Sequence, residues 1–183
     1  MTQNLTETTR VLKSGGVIAY PTEAVWGLGC DPWNEAAVNR ILAIKLRPVS
    51  KGLILVASCP EQIAPLLETL SDDLSTKMLA MQSQPLTWLV PDEGNWIPAW
   101  IKGDFDSVAI RMTQHPLVVD LCNAFGKPMV STSANRAGEP PMVTREEVVA
   151  TFDQEVDWIT DGFTGDASSP SSIRDLVTDQ VFR

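Results

Sequence analysis

Apolar residues recur at helical spacing in some stretches of this chain and form short continuous runs in others, which predicts both helices and strands. In residues 35–46, Val38, Ile41 and Leu42 share one face, as in an amphipathic helix packed on a core. Residues 17–20 form a β-branched and aromatic run typical of a buried strand. The pattern predicts helices over residues 5–13, 35–46, 60–70, 71–81, 116–125 and 144–152, and strands over 17–20, 53–56, 87–90, 108–111, 129–131, 158–160, 172–175 and 180–182.

Helices and strands mixed within 183 residues favour one α/β domain covering residues 1–183. We expect a twisted mixed β-sheet flanked by helices, since the chain has no internal repeat, low-complexity block or linker. Thr144 and Glu147 match a capping box, which predicts the start of the last helix. Residues 161–172, which include Ser168, are rich in Gly and Ser, and we expect a mobile segment able to close over a pocket.

Three tryptophans, Trp88, Trp96 and Trp100, occur within residues 85–105, a segment with little periodicity. Aromatic side chains often serve the core, so we expect a tryptophan-anchored loop packed over the sheet. Stacking of a tryptophan on an adenine ring is the alternative.

The charge balance limits the kind of partner. With 14 Lys and Arg against 23 Asp and Glu, the net charge is −9, which argues against a protein that mainly grips the nucleic-acid backbone. A local basic pocket is still compatible with this balance, and Lys45, Arg47, Lys51 and Arg111 are candidates for it.

The cysteine and histidine content does not predict a metal site. Cys30, Cys59 and Cys122 are isolated, no CxxC pair occurs, and His115 is the only histidine. Unpaired cysteines favour a reducing cytoplasm. Residues 1–7 carry neither the basic nor the apolar region of a signal peptide, and no apolar stretch approaches the roughly 20 residues of a membrane span. We therefore expect a cytoplasmic protein with no membrane partner.

Three hydroxyls and an amide lie close together at the end of the predicted strand over residues 129–131: Ser131, Thr132, Ser133 and Asn135. Ligands bind at this edge of many α/β sheets, and neutral donors suit phosphate or carboxylate oxygens. In an extended chain Ser131, Ser133 and Asn135 would share one side and Thr132 would face away. A Ser/Thr-rich turn that caps a helix explains the cluster equally well.

Residues 21–31 follow the first predicted strand and read as a loop. Gly27 and Gly29 would let its backbone approach a ligand closely or take a positive φ. As a phosphate-binding fingerprint this loop is weak, because it matches neither GxGxxG nor a Walker A sequence.

Three cations, Lys45, Arg47 and Lys51, lie within seven residues at the end of the predicted helix over residues 35–46. Pro48 ends this helix, so we expect Arg47 and Lys51 to project from a fixed loop towards phosphate or carboxylate. Cations at a helix C-terminus also complement the helix dipole, which is the alternative explanation.

Ser107 and Arg111 lie four residues apart around an apolar strand core, so they share a face. A buried arginine needs an anionic partner, which is either a substrate carboxylate or phosphate or one of the chain's own carboxylates. Glu23 is a candidate for orienting Thr22 or the pocket cations, and we do not assign it as a base. His115 precedes Pro116, and a histidine at a helix start explains it better than catalysis.

Five segments bring these candidates together in a fixed order: residues 21–31, 45–51, 107–111, 128–138 and 170–175. Together they resemble the YrdC family, whose members make threonylcarbamoyl-AMP for tRNA modification. The resemblance covers nearly the whole chain, whose length is similar to that of the short single-domain members. The family commonly has Thr-Glu-Thr and Tyr-Gly-Leu-Gly in the first segment, whereas Ala24 and Trp26 stand here. Ala24 lacks a hydroxyl that an amino-acid substrate could contact.

The resemblance implies a YrdC-like sheet with a concave basic pocket and the activity of an L-threonylcarbamoyladenylate synthase, a nucleotidyltransferase. The substrates would be ATP, L-threonine and bicarbonate or CO₂, and pyrophosphate would be released. Mg²⁺ would accompany ATP, and separate proteins would transfer the threonylcarbamoyl group to tRNA. Weak contact with tRNA or other RNA is also compatible with the family.

The resemblance also assigns roles to residues of this chain. It gives catalytic roles to Lys45 and Arg47. It places ATP on Arg47, Lys51, Ser107, Ser133 and Asn135, and threonine on Thr22, Arg111, Ser131 and Ser172.

Two other functions stay open from the sequence. An RNA-binding or ribosome-maturation factor would use the same basic concave face, although the acidic net charge and the lack of RRM or KH signatures speak against it. A regulatory nucleotide sensor without turnover is the other. Pyrophosphate release that requires threonine would separate the enzyme from both.

Overall fold

The computed structural model describes residues 3–167 and 169–183, so the predicted role of Ser168 lies outside the described residues. The helices are α1 (Gln3–Lys13), α2 (Glu35–Lys45), α3 (Ala64–Leu67), α4 (Asp72–Leu79), α5 (Ala99–Lys102), α6 (Pro116–Phe125) and α7 (Arg145–Phe152). The strands are β1 (Ile18–Pro21), β2 (Trp26–Gly29), β3 (Ile54–Ala57), β4 (Leu86–Pro91), β5 (Ser107–Met112), β6 (Met129–Ser133), β7 (Trp158–Ile159) and β8 (Ser172–Asp175). Within these described ranges, no helix is both long enough and apolar enough to cross a membrane.

The strands form one mixed sheet in the order β7-β1-β2-β6-β3-β5-β4-β8. Strand pairs β1–β7, β3–β5 and β4–β8 are parallel, and the pairs β1–β2, β2–β6, β3–β6 and β4–β5 are antiparallel. The predicted fold class, an α/β protein with a mixed sheet flanked by helices, is confirmed.

The sheet is buried on both faces. On one face α1 and α6 cover Ile18, Tyr20 and Met129, with Leu12 and Leu121 as the helical partners. The opposite face carries the larger core, in which strand residues meet α2 and α7. Because both faces lose water, β3 is apolar along its whole length, and the apolar parts of β5 and β6 are continuous runs rather than alternating positions.

The predicted loop over residues 21–31 is wrong in its central part, which forms strand β2. Trp26–Gly29 is fully buried, and it pairs with β1 and β6. Neither Gly27 nor Gly29 has a positive φ. Gly29 is required for a different reason: a Cβ there would lie 2.6 Å from the carbonyl oxygen of Val130 and 2.7 Å from the Tyr20 ring.

Two other expected elements differ from the structure. The helix expected over 60–70 is a 3₁₀ turn, Pro60–Ile63, followed by the short α3, because Pro65 has no N–H to continue one helix through. The strand expected over 180–182 is reduced to an isolated bridge between Arg174 and Val181. The chain before that bridge turns through Asp179, whose φ is 61°, and returns along β8.

Local signals at two helix starts are confirmed. Thr144 accepts from the N–H of Glu147, and the Glu147 carboxylate accepts from the N–H of Thr144, which is the predicted capping box. His115 is the N-cap residue of α6, and Pro116 occupies the first helical position.

The tryptophans of residues 85–105 serve packing, as predicted, although the segment holds β4 and α5 rather than one loop. Trp88 is buried in the core. The ring of Trp96 lies 5.2 Å from that of Trp33. The indole N–H of Trp100 donates to the carbonyl of Pro32 at 3.0 Å. All three tryptophans therefore pack in the core or against it. None of them lines the cavity described below, so the adenine-stacking alternative has no support from their positions.

Candidate active site

A cavity of about 560 Å³ opens where the β1–β2 turn, the loop after α2 and strands β5 and β6 come together beside β8. The structure brings most of the expected site residues to its wall: Thr22, Arg47, Lys51, Ser107, Arg111, Ser131 and Ser133. Lys45, Asn135 and Ser172 lie outside that wall. Most of the residues chosen from the sequence therefore do line one cavity.

Strand β6 delivers its hydroxyls to the cavity, but the extended geometry ends at Ser133. The N–H of Asn135 donates to the carbonyl of Ser133 at 3.1 Å, so the chain has already turned. The expected alternation is therefore wrong beyond the strand, and Thr132 lines the wall with Ser131 and Ser133. Gly138 then takes a φ of 86°, which glycine adopts without strain, and carries the chain away.

The Asn135 side chain braces this exit loop. Its amide donates to the carbonyls of Arg136 at 2.9 Å and Glu139 at 2.7 Å. Its Oδ1 accepts from the Ser133 hydroxyl at 2.6 Å. Asn135 therefore holds the Ser133 hydroxyl in position at the edge of the cavity wall.

Lys45, in the last turn of α2, is buried, and its ammonium donates to the carbonyls of Ser133 and Asn135 and to the Asn135 Oδ1. Burial and the nearby charge of Arg47 lower the pKa of Lys45 to about 8. This ammonium is committed to the end of β6, so Lys45 fixes the loop that bears Ser133.

The loop after α2 is held by its own arginine. The Arg47 guanidinium donates to the carbonyls of Lys51 at 3.1 Å and Gly52 at 2.9 Å, and burial lowers its pKa. The helix ends in Leu46, which adopts the left-handed conformation with φ 51°. A left-handed leucine is strained, and such strain is characteristic of functional loops. Lys51 projects from this braced loop as an exposed cation in the cavity wall.

Arg111 and Glu23 form the buried ionic part of the site. An Nη of Arg111 lies 3.5 Å from Glu23 Oε2, and the same nitrogen donates to the Ser131 hydroxyl at 3.4 Å. The Thr113 hydroxyl donates to Glu23 Oε1 at 2.7 Å. Burial alone would raise the pKa of Glu23, but Arg111 and the Thr113 hydroxyl outweigh burial and hold the pKa below its ordinary value.

Ala24 and Trp26, the two residues of the first segment that differ from the common family pattern, have different surroundings. Ala24 lines the cavity, where its methyl group offers no hydrogen bond. Trp26 also borders the cavity and is 1 % exposed within the core. The hydroxyl of Thr22 already donates to the carbonyl of Val25 at 2.7 Å, which leaves its oxygen lone pairs for a ligand.

Sequence reasoning missed Ser171 and Arg183, which both line the cavity. Ser171 is buried, and its hydroxyl lies 2.8 Å from that of Thr87. Arg183 donates to the carbonyl of Ser171 at 2.9 Å and 3.1 Å, and burial together with the charge of Arg111 lowers its pKa. The available signal was the extended chain at the start of β8, because an extended chain places neighbouring Ser171 and Ser172 on opposite sides.

The described wall carries more positive than negative charge. Its cations are Arg47, Lys51, Lys102, Arg111 and Arg183, and its carboxylates are Glu23 and Asp175. Lys102 is neutralised by Asp92 at 2.8 Å. The remaining excess of cations suits an anionic ligand, in a chain whose net charge is −9.

Residues 169–171 line the cavity, and residues 165 and 167 lie against the turn that bears Thr22 and Glu23. The N–H groups of Gly165 and Ala167 donate to the carbonyls of Thr22 at 2.9 Å and Glu23 at 3.0 Å. His115 Nε2 lies 3.2 Å from the carbonyl oxygen of Phe163. The expected closure of this segment over a ligand stays a prediction.

No group of three or more His, Cys, Asp or Glu side chains within residues 3–167 and 169–183 is arranged to hold a metal ion. A magnesium ion that arrives with a nucleotide would be held mainly by phosphate oxygens.

The chain is similar to known proteins in both sequence and structure. A sequence model of the Sua5/YciO/YrdC family, described as "Telomere recombination", matches residues 10–183. A curated relative from Pseudomonas aeruginosa, named threonylcarbamoyl-AMP synthase, is 55% identical over 174 residues, which are 95% of this chain and 93% of the relative.

Solved structures show the same architecture. P. abyssi Sua5 complexed with L-threonine is 29% identical with a TM-score of 0.85, and the match covers 93% of this chain but 50% of that one. This chain thus spans about half the length of that protein. E. coli YciO shares the fold, with a TM-score of 0.83 at 22% identity over 100% of this chain and 89% of the other. The chain belongs to the Sua5/YciO/YrdC family.

Proposed function

We propose that this chain synthesises threonylcarbamoyl-AMP from L-threonine, CO₂ drawn from bicarbonate, and ATP, and that it releases pyrophosphate. The product would serve the threonylcarbamoyladenosine modification of tRNA. The observation that carries the proposal is 55% identity to a named threonylcarbamoyl-AMP synthase across 95% of the chain. The cation-rich cavity with its buried Arg111 supports it, because both organic substrates are anionic or carry a carboxylate.

The chemistry needs no nucleophile from the protein. The threonine amine, after loss of one proton, attacks the carbon of CO₂, and loss of a second proton leaves a carbamate. A carbamate oxygen then attacks the α-phosphorus of ATP, while the bond to the bridging oxygen breaks and pyrophosphate leaves. The protein must position these groups and stabilise negative charge.

On this proposal, the phosphates lie against the loop after α2 and the end of β6. Lys51 supplies an exposed cation and Ser133 a hydroxyl, while Arg47 offers its remaining guanidinium donors. Ser107, at the start of β5, borders the same space. Lys45 and Asn135 act by holding the loop of Ser133 rather than by touching the nucleotide.

Threonine would lie on the opposite side of the cavity. Arg111 and Ser131 would donate hydrogen bonds to its carboxylate. Thr22 lines the same cavity and would contribute its hydroxyl. Ser171, which directly precedes β8, lines the cavity where Ser172 was expected, so we assign that threonine contact to Ser171. Mg²⁺ would enter with ATP, held mainly by its phosphates.

The test is pyrophosphate release by purified protein in the presence of ATP, with threonine and bicarbonate added or omitted. Release that requires both, together with a threonylcarbamoyl-AMP product identified by mass, is the expected result. Release without threonine would contradict the proposed function. RNA binding that weakens steeply with salt and occurs without turnover would favour the RNA-binding alternative. Transfer to tRNA by separate proteins would be tested by adding the product to a tRNA-modifying extract.

A further inference from the structure

The end of helix α2 is completed by residues of a distant loop. The carbonyl of Ile44 cannot be met by a donor four residues later, because Pro48 has no N–H, and it accepts from the Arg136 guanidinium at 2.7 Å. The carbonyl of Lys45 accepts from the N–H of Ala137 at 2.8 Å. A cation at a helix C-terminus also complements the helix dipole, so Arg136 is well placed to hold α2 against the loop after β6.

Arg136 is itself anchored by a third element. Its Nη2 lies 2.6 Å from Glu155 Oε1, in the chain that follows α7, and its guanidinium lies 5.5 Å from the centre of the Phe152 ring. The Arg136 and Glu155 side chains are 30% and 35% exposed, so their ion pair alone contributes little to stability. Because the planar guanidinium makes both contacts at once, its main effect is to fix the loop after β6 relative to α2 and to the chain after α7.

Arg136 is not among the described residues that line the cavity. Its carbonyl accepts from the Asn135 amide at 2.9 Å, and Asn135 Oδ1 accepts from the Ser133 hydroxyl at 2.6 Å. On the other side, Ile44 is three residues before Arg47, and both Arg47 and Ser133 line the cavity. Arg136 thus lies between the two elements that bring a hydroxyl and a cation to the phosphate side.

We infer that Arg136 is a positioning residue of the phosphate site, which sets the separation between the Ser133 hydroxyl and Arg47 without touching the nucleotide. This role rests on the proposed function, whose phosphate site it would hold in shape. The threonine side depends on Arg111 and Thr22, and the side-chain hydrogen bonds of Arg136 reach neither of them. Loss of Arg136 should therefore impair ATP binding more than threonine binding, because hydrogen bonds from two elements to one phosphate weaken steeply when the elements separate.

Calorimetric titration with ATP and steady-state pyrophosphate release measure the effect. Arg136→Met should weaken ATP binding by roughly three- to thirtyfold and raise the KM for ATP, while the KM for threonine stays near its wild-type value. Arg136→Lys keeps a cation but lacks the planar fork, so it should restore part of the affinity. Glu155→Gln removes the anchor of Arg136 and leaves the loop sequence intact, so it should weaken ATP binding in the same direction and by less.

Arg40→Met is the matched control. Arg40 joins α2 to the same chain after α7, through Asp157 at 2.5 Å, and these two side chains are 42% and 37% exposed. Its side-chain hydrogen bonds go to Asp157 and to the carbonyl of Glu155, and not to the loop after β6. The control variant should therefore lose a similar ion pair and keep the wild-type affinity for ATP.

Two results would overturn the inference. If Arg136 serves stability alone, Arg136→Met will melt at a lower temperature and still bind ATP as tightly as wild-type protein. Equal loss of ATP and threonine affinity would show a general loosening of the fold instead. Should Arg136→Met fail to fold, Glu155→Gln decides the matter: weaker ATP binding supports the role, and unchanged binding overturns it. Threonine-dependent pyrophosphate release by wild-type protein is measured on its own, so failure of the proposed function is distinguishable from failure of this role.

Discussion

The Lys45 ammonium donates to Asn135 twice, at 2.9 Å to its carbonyl and at 3.2 Å to its Oδ1. These contacts join the end of α2 to the loop after β6, elements 90 residues apart in the sequence. Because Arg47 directly follows the end of α2 and Ser133 directly precedes this loop, the junction helps to set the separation between a hydroxyl and a cation across the cavity. Lys45 thus helps to fix the geometry of the residues that line the cavity, and its catalytic role stays a prediction.

Titration of Lys45 should make stability depend on pH. Its pKa of about 8 in the folded protein lies below that of an unfolded lysine, so the unfolded chain holds more protons between roughly pH 8 and 10.4. The free energy of unfolding of wild-type protein should therefore rise relative to Lys45→Met across this interval. Urea titrations of both proteins at about pH 7.5 and about pH 10 measure this difference. Cysteines and tyrosine titrate in both proteins and cancel, so a difference that stays flat would contradict the prediction.

The location of the site followed from the sequence because its residues flank strands with clear apolar patterns. Ser131 and Ser133 end β6, and Arg111 lies within β5, so their placement needed only the strand assignment. Strand β2 was missed because paired glycines are typical of turns. Gly29 is needed for close contact with Tyr20 and Val130, residues on two other strands, and such contacts have no local signal.

The hydrogen-bond and ionic partners of individual side chains could also not be predicted from the sequence. The sequence offered two explanations for Lys45: a phosphate or carboxylate of a ligand, or the dipole of its own helix. The structure satisfies it with carbonyls beyond β6, which depends on how α2 packs against the sheet. In the same way, the loose contact between Glu23 and Arg111 arises from a turn and a strand far apart in the chain.

The exposed Lys51 should contribute directly to ATP binding. It lines the cavity from a braced loop, whereas Lys13 lies exposed at the end of α1. Lys51→Ala should weaken ATP binding by about 1.5 kcal/mol, roughly tenfold, through loss of a charge-assisted phosphate contact. Calorimetric titration with ATP measures this, and Lys13→Ala is the control for loss of one positive charge. Equal affinities for the two variants would remove Lys51 from the phosphate site.

Arg111 should be sensitive even to a conservative change. Lysine keeps the charge but cannot offer two parallel donors to a carboxylate, so Arg111→Lys should raise the KM for threonine by about tenfold or more. The KM for ATP should change little, because the phosphates lie on the other side of the cavity. Steady-state pyrophosphate release gives both constants, with Arg10→Lys on α1 as the control. An unchanged KM for threonine would be incompatible with Arg111 holding its carboxylate.

Gly29 should be required for the packing of β2. A Cβ there would approach the Val130 carbonyl to 2.6 Å and the Tyr20 ring to 2.7 Å, and both neighbours are buried. Gly29→Ala should therefore lower the free energy of unfolding by about 1–3 kcal/mol, as overpacked cores do. Gly94→Ala is the matched control, because its added Cβ would meet only the Thr69 methyl group at 3.5 Å. Denaturant titration of both variants measures the effect, and equal stabilities would show that β2 shifts to make room.

Replacing Ser133 should mainly affect activity, whereas replacing Asn135 should also affect stability. Ser133 lines the cavity, so Ser133→Ala should reduce pyrophosphate release severalfold or more while its melting temperature stays near wild type. Asn135 lies outside the wall and satisfies the carbonyls of Arg136 and Glu139, so Asn135→Ala should lower the free energy of unfolding by about 1–3 kcal/mol. Its activity should also fall, since the Ser133 hydroxyl loses its 2.6 Å partner. Thermal melts and pyrophosphate release on both variants test this division. A destabilised but fully active Ser133→Ala protein would show that this hydroxyl serves the loop and not the substrate.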